Sequence, residues 1–296
     1  MTFREGADFG DRAQTTRGGG GRGGTIAAGG GIGSLLLIGL FLLLGGNPND
    51  LGGLVSGGGQ QELPKAEGSQ YQHCTTAEDG NNHADCRVAF TAQSLDNVWT
   101  EMLRDQAGLE YTEPGLVIFQ NSTNSGCGMA SSSTGPFYCP GDQSAYFDTS
   151  FFSQLEQLGG SDAPFAQMYI VAHEFGHHIQ QIEGTLRLSN YNQPGEDSNA
   201  VKVELQADCY AGLWAHHADK GENALLEPLT EEQVKTALES ARAVGDDNIQ
   251  QRTQGQVRPD LWTHGSSKDR QNAFLAGYQS GKMSQCDTLG RGVYKG

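Results

Sequence analysis

The feature that most constrains the fold of this chain is an apolar run containing two histidines spaced four residues apart. His173 and His177 lie within residues 168–182, where their neighbours include Ile, Val, Ala and Phe. An α-helix repeats every 3.6 residues, so both imidazoles share one face, one turn apart. The run therefore predicts a helix on which two ring nitrogens can reach a single metal ion.

The residue after the first histidine connects this pattern with a particular chemistry. Glu174 completes the motif His-Glu-x-x-His, in which neutral imidazoles bind Zn²⁺ and the carboxylate stands beside the metal-bound water. Zinc lowers the pKa of that water towards ~7, and a nearby carboxylate can accept its proton. We therefore predict His173 and His177 as zinc ligands and Glu174 as the general base. On this motif alone, a helix that carries two histidines by chance remains an alternative.

A second pair of spaced residues supports the metal interpretation. Glu204 and Asp208 lie four positions apart in the helix-like run 199–218 and would share one helix face. Glu204 can be the third zinc ligand, and Asp208 can accept the second ring N–H of a ligating histidine. Solvent-facing carboxylates are the alternative. The apolar residues around both positions favour a buried helix, where an unpaired carboxylate is costly.

Several short motifs resemble one known family, the bacterial putative neutral zinc metallopeptidases. They are HEFGHH (173–178), ELQADCYAG (204–212), YCP (138–140), YFD (146–148) and THGSS (263–267). The resemblance extends over roughly residues 71–289. It implies a zincin-like peptidase domain with His173, His177 and Glu204 as ligands and Glu174 as the general base, but no defined substrate.

The cysteines favour disulfides over a structural zinc cluster. The chain has six cysteines and no Cys-x-x-Cys motif, and an even number in an exported protein indicates disulfide bonds. Six cysteines allow fifteen pairings, so the choice among them depends on proximity in the sequence and on the family resemblance. The predicted pairs are Cys74–Cys86, Cys127–Cys139 and Cys209–Cys286.

The amino-terminal quarter divides into three parts by composition. Residues 1–25 are rich in glycine and predict a disordered tail, and residues 47–72 predict a flexible linker. Residues 26–46 contain no charged side chain and would form a helix of about 31 Å, enough to cross a bilayer. We predict a single transmembrane anchor there. A cleaved signal peptide is the alternative, although no typical small-residue cleavage site follows.

The charges beside this anchor predict its orientation. Four arginines precede it, whereas the first cation after it is Lys65. By the positive-inside rule the amino terminus is expected in the cytoplasm and the domain outside it. The predicted location is therefore the cell membrane, with an extracytoplasmic domain.

Residues 73–296 predict one domain of the α+β class, mostly helical, with a small antiparallel sheet. A helix is expected to open at Ser94, and a short strand covers 116–119. The antiparallel sheet is expected over 126–147, where it could bind an extended substrate or, as the alternative, only cover the core. Further helices are predicted at 149–158, 164–183, 199–219, 231–244 and 266–281.

The charge of the chain limits its partners. Its net charge is −16, and no basic stripe is present. Such a surface repels phosphate backbones, which argues against nucleic acid as a partner. The expected partners are a peptide or protein substrate and, through the anchor, a membrane.

One further histidine is a candidate for the reaction itself. Hydrolysis of a peptide bond needs a hydrogen-bond donor for the developing oxyanion, and His264 is the candidate, with a merely structural loop histidine as the alternative. The sequence thus predicts a membrane-anchored zinc peptidase. Two alternatives stay open, namely an inactive membrane-tethered binding protein and a zinc amidase of the cell envelope.

Overall fold

Helices form most of the described chain. The computed structural model describes residues 2–9, 12, 71, 73–131 and 134–295. The helices are α1 (Ala77–Asn82), α2 (Ala84–Met102), α3 (Phe151–Gln157), α4 (Pro164–Glu183), α5 (Asn199–His217), α6 (Glu231–Ala243), α7 (Asp246–Gln254) and α8 (Ser267–Ser280). The predicted mostly helical α+β class is confirmed.

The strands form a three-stranded sheet and a separate hairpin. The strands are β1 (Gly115–Phe119), β2 (Ser122–Ser125), β3 (Gly128–Ser131), β4 (Phe137–Cys139) and β5 (Ser144–Asp148). The sheet order is β1-β5-β4, with β5 antiparallel to β4 but parallel to β1, and β2 pairs with β3. The predicted antiparallel pairing is present between β4 and β5 and between β2 and β3, whereas β1 adds a parallel pair that was not predicted. Alternating side chains identify strands but do not select their neighbours.

The start of α2 differs most from prediction. The helix begins at Ala84 and not at Ser94, because polar side chains in its first turns find partners inside the protein. The Arg87 guanidinium, for example, donates to Gln167 Oε1 at 2.6 Å. One π-type turn extends the helix to Ala107, and Gly108 ends it in the left-handed conformation (φ 70°).

Two glycines allow the central helices to approach closely. An added Cβ at Gly176 of α4 would lie 2.9 Å from the Cα of Ala207 in α5. On the other side of α5, a Cβ at Gly212 would lie 1.9 Å from the Phe274 carbonyl oxygen of α8. The α5 helix is therefore held between α4 and α8 at backbone contact distance, and it carries the second set of predicted site residues.

All three predicted disulfides are present. The bonded pairs are Cys74–Cys86, Cys127–Cys139 and Cys209–Cys286. The first two close short loops. The third joins α5 to the 3₁₀ turn Met283–Cys286 near the carboxyl end.

The described amino-terminal residues pack on the domain. Phe3 pairs with Leu226 in an isolated antiparallel bridge, and Phe9 stacks on Phe90 of α2 with ring centroids 4.0 Å apart. The prediction of a disordered tail is therefore wrong for residues 2–9 and 12. The two phenylalanines are the large apolar side chains of this stretch, and their burial offsets the loss of chain entropy.

The predicted membrane anchor, 26–46, lies outside the described residues, as does the linker except for Tyr71. Tyr71 is buried, and its hydroxyl donates to the Ile118 carbonyl at 2.9 Å. In the described part of the chain, none of the helices combines the length and the apolar character needed to cross a bilayer.

Candidate metal centre

The α4 helix positions both predicted histidine ligands. It starts with Pro164 at its first turn and ends at Gly184 in the left-handed conformation, as expected for a helix with these termini. His173 and His177 lie on one face, with ring centroids 4.8 Å apart. His173 is almost completely buried, and the His177 side chain is 12% exposed.

Glu204 reaches the same point from α5. Its Oε2 atom lies 3.3 Å from His173 Nε2 and 3.7 Å from His177 Nε2. The helix that carries it begins with Ser198 as N-cap, whose side chain accepts the Val201 N–H. The backbone contact at Gly176 brings the two helices close enough for a short glutamate side chain to meet both rings.

The three donor atoms fit a zinc ion. They lie within 4.8 Å of one another, and two imidazole nitrogens with one carboxylate oxygen are a catalytic zinc set that keeps a fourth position open. Among the described residues, His173 Nε2 and Glu204 Oε2 are buried without a well-formed hydrogen bond. Buried polar atoms normally have a partner, so these two atoms indicate that an ion belongs between them.

The His173 ring is oriented by Asp208. Its Nδ1 lies 2.8 Å from Asp208 Oδ1, which assigns the proton to Nδ1 and leaves the Nε2 lone pair for a metal. Asp208 also accepts from the Tyr169 hydroxyl at 2.6 Å and from Arg270 at 2.7 Å. Burial alone would raise the pKa of Asp208, but the charges of Arg270 and His173 lower it to about 2. The carboxylate therefore stays ionised.

The His177 ring is oriented by a glutamine. Gln180 Oε1 lies 2.8 Å from His177 Nδ1, and an amide oxygen can only accept, so Nδ1 carries the proton here too. The Gln180 amide donates to the Val203 carbonyl at 2.7 Å and to Gln206 Oε1 at 3.0 Å. Sequence reasoning missed Gln180. Its position three residues after His177, on the same helix face, could have indicated it.

Glu174 lies beside the cluster. It is 2% exposed, and in the described part of the structure its Oε1 has no hydrogen-bond partner. Burial raises the pKa of Glu174, while the two histidines and the Tyr138 backbone N–H oppose the rise. A carboxylate with a raised pKa is suited to take up a proton and return it.

His264 is brought to the same region by the loop before α8. Its Nδ1 lies 3.0 Å from Asp246 Oδ1, and the other oxygen of Asp246 accepts the backbone N–H of Thr263, His264 and Gly265. Burial lowers the pKa of His264, but the carboxylates of Asp246 and Glu204 raise it. Its buried Nε2 has no partner among the described residues. Sequence reasoning missed Asp246.

A tyrosine lies against the third ligand. The Tyr191 hydroxyl is 3.3 Å from Glu204 Oε1, the oxygen that does not face the histidines. Burial, together with the charge of Glu204, raises the pKa of Tyr191, so the phenol remains protonated and can donate. No feature of the sequence indicated Tyr191 or Arg270, since both reach the site only through the tertiary fold.

The other nearby histidines are structural. His178 donates from Nε2 to the Thr112 carbonyl at 2.6 Å and accepts the Tyr138 hydroxyl at 3.0 Å, and burial lowers its pKa to about 4. His216 and His217 bond to carbonyls at the end of α8. None of them faces the metal cluster.

This fold and site define a class of protein. The model of the family described as putative neutral zinc metallopeptidase matches residues 2–289, and the chain belongs to that family. The match includes the amino-terminal residues that pack on the domain.

Similar proteins occur in Mycobacterium and in Escherichia. The uncharacterized protein Rv2575 of Mycobacterium tuberculosis is 45% identical over 258 residues, which cover 84% of each chain. The uncharacterized protein YpfJ of Escherichia coli K12 is 35% identical over 295 residues, 98% of each chain. No solved structure matches this chain.

Proposed function

We propose that this protein is a zinc-dependent peptidase. His173, His177 and Glu204 would hold the metal, which supplies an activated water and polarises the substrate carbonyl. The observation that carries the proposal is the meeting of these three donors beside a buried glutamate with one unpartnered oxygen. Metal binding alone would not need Glu174.

Glu174 would transfer protons during hydrolysis, and His264 would stabilise the negative charge that develops on the substrate. Glu174 takes a proton from the attacking water and later passes it to the leaving amine. The Asp246 carboxylate holds the His264 ring so that Nε2 can donate a hydrogen bond to the oxyanion that develops on the substrate carbonyl. The raised pKa of His264 supports a protonated, donating ring.

The sheet offers a place for an extended substrate. β4 is at one edge of the three-stranded sheet, and its Tyr138 backbone N–H is near enough to Glu174 to lower the pKa of that carboxyl. An extended peptide beside this strand would lie close to the general base. The protein is also proposed to attach to a membrane through residues 26–46, with the domain outside the cytoplasm, where its three disulfides are stable.

The test compares two substitutions in the full-length protein. His177→Ala should lose the metal, whereas Glu174→Gln should keep about one zinc per chain and lose hydrolysis of an unstructured protein substrate. Chelator should abolish wild-type activity, and zinc should restore it.

The outcomes separate the alternatives. Equal metal loss in both variants would contradict the role of Glu174. Zinc binding without hydrolysis of any peptide would favour an inactive binding protein, and cleavage of envelope peptides alone would favour an amidase.

A further inference from the structure

We propose that the amino-terminal segment, residues 2–9 and 12, lies on the same side of the membrane as the peptidase domain, so that the chain between residues 12 and 71 makes no net crossing of the membrane. This replaces the single crossing that the charge distribution predicts. The proposal does not depend on peptidase activity.

Backbone pairing holds the start of the segment. Arg4 N–H donates to the Leu225 carbonyl at 2.8 Å, and Glu227 N–H donates to the Thr2 carbonyl at 3.0 Å. Between these bonds lies the bridge from Phe3 to Leu226. In addition, Asn81 Oδ1 accepts the Thr2 N–H at 2.8 Å. The segment is thus joined to two separate parts of the domain by directed bonds.

Apolar burial adds to this pairing. Phe3 is 0% exposed, and its ring contacts Phe9 and Phe90 edge to face at centroid distances of 5.7 and 5.6 Å. An added Cβ at Gly80 would lie 2.7 Å from the Phe3 ring, so α1 has a glycine where the phenylalanine enters. The domain therefore has a fitted site for Phe3.

A buried ion pair holds the end of the segment. Arg12 Nε lies 2.7 Å from Asp96 Oδ2, and Arg12 Nη2 donates to the Pro114 carbonyl at 2.7 Å. The two charged side chains are only 5% and 4% exposed. The Tyr111 hydroxyl donates to the other oxygen of Asp96 at 2.6 Å. Without Arg12, the domain would keep a buried carboxylate without its counter-charge, which is a strongly unfavourable arrangement.

The chain returns to the same strand after the hydrophobic segment. Tyr71 donates to the Ile118 carbonyl, and Arg12 to that of Pro114, next to β1. Four residues of extended chain separate these acceptors, about 13 Å. Residues 12 and 71 are therefore both anchored along one short strand, on one side of any membrane.

The number of crossings follows from this arrangement. A chain whose two ends lie on one side must cross a membrane an even number of times. Between residues 12 and 71 only 26–46 is a long uncharged run, because 47–70 contains charged residues and many polar ones. One crossing needs about 20 apolar residues, so this single run of 21 residues cannot supply two crossings.

Cysteine labelling of the full-length protein in cells tests the proposal. Glu5→Cys and Glu222→Cys, made separately, each place one thiol on an exposed position, the first on the segment and the second on the domain. A membrane-impermeant maleimide is added to intact spheroplasts and, for the total, to lysed ones. We expect the same labelled fraction, within about twofold, at both positions. A single crossing predicts labelling at one position and protection at the other.

A cross-link tests the docking itself. In Phe3→Cys/Leu226→Cys the two bridge positions face each other at a distance that permits a disulfide. After cleavage of the chain between residues 12 and 71, the two pieces should stay joined until reductant is added. The matched control Glu5→Cys/Leu226→Cys should join far less. Opposite labelling of Glu5→Cys and Glu222→Cys, or equal cross-linking in the pair and its control, would overturn the proposal.

Discussion

At the scale of single residues, the two imidazoles of the metal centre are held by different partners. Asp208 is a buried carboxylate fixed by Arg270 and Tyr169, whereas Gln180 is a neutral amide fixed by a backbone carbonyl and another glutamine. A charged partner increases the basicity of a ligating histidine more than a neutral one. Asp208 should therefore contribute more to metal affinity than Gln180.

Substitutions of Glu204 and of Asp208, one helical turn later, should lower zinc affinity by different amounts. Glu204→Ala removes a donor atom and should weaken zinc binding far more than Asp208→Asn, which should cost about 10–100-fold. Competition with a chromogenic chelator measures both. Unchanged zinc affinity in Glu204→Ala would move the third ligand elsewhere.

Gln180 can be tested against a matched glutamine. Gln180→Leu removes the acceptor of the His177 N–H and should lower zinc affinity by about tenfold or more. Gln206→Leu removes the side-chain oxygen that accepts from the Gln180 amide, but Gln206 itself makes no hydrogen bond to a histidine. The two variants should lose similar stability, and a zinc titration should show a large effect only for Gln180→Leu. Equal affinities would show that Gln180 does not orient the ring.

His178 should make stability depend on pH. Burial lowers its pKa from 6.5 to about 4, so its contribution is complete above pH 6.5 and is lost as pH falls towards 4. At pH 5 the loss relative to pH 7.5 is about 2 kcal/mol. Urea unfolding of metal-free wild type and His178→Gln should show their stability difference shrinking by this amount. A constant difference would contradict the neutral, buried ring.

At the scale of elements, local sequence determines where helices begin, whereas tertiary contacts determine the distance between them. Thr230 caps α6 through a reciprocal pairing with Gln233, and Ser266 caps α8 by accepting the Asp269 N–H. These starts are encoded within four residues. The distance between α4 and α5, by contrast, depends on one glycine within the histidine motif itself.

Substituting that glycine should therefore affect both fold and metal. Gly176→Ala should push α4 away from α5 and lower the free energy of unfolding by about 1–3 kcal/mol. Because Glu204 then moves away from the two histidines, zinc affinity should also fall clearly. Gly212→Ala overpacks the opposite side of α5 and serves as the control. It should destabilise the metal-free protein without a comparable shift in a zinc titration. Normal zinc affinity in Gly176→Ala would contradict this account.

At the scale of the whole molecule, the disulfides should differ in their contribution. Cys209–Cys286 spans 77 positions and Cys74–Cys86 spans 12. From the entropy of loop closure in the unfolded chain, the first should add about 4.5 kcal/mol to the free energy of unfolding and the second about 3 kcal/mol. Urea unfolding of the two double-alanine variants, with metal removed, should show the larger loss for the first. The reverse order would indicate that the unfolded chain is already constrained.

The sequence by itself determined the parts of this protein that depend on spacing along one element. The i, i+4 pairs His173/His177 and Glu204/Asp208 were predicted because helix periodicity acts over a single turn. The disulfide pairs were predicted from proximity in the sequence together with the family resemblance. Family membership also followed from such motifs.

Only the tertiary structure decided which distant groups meet. Arg270, Asp246 and Tyr191 come to the site from three separate segments, β1 lies parallel to β5, and Arg12 reaches Asp96 across 84 positions. None of these contacts has a local period or cap to reveal it. A buried charge is stable only beside the partner that the folded chain supplies, and that partner cannot be identified from spacing alone.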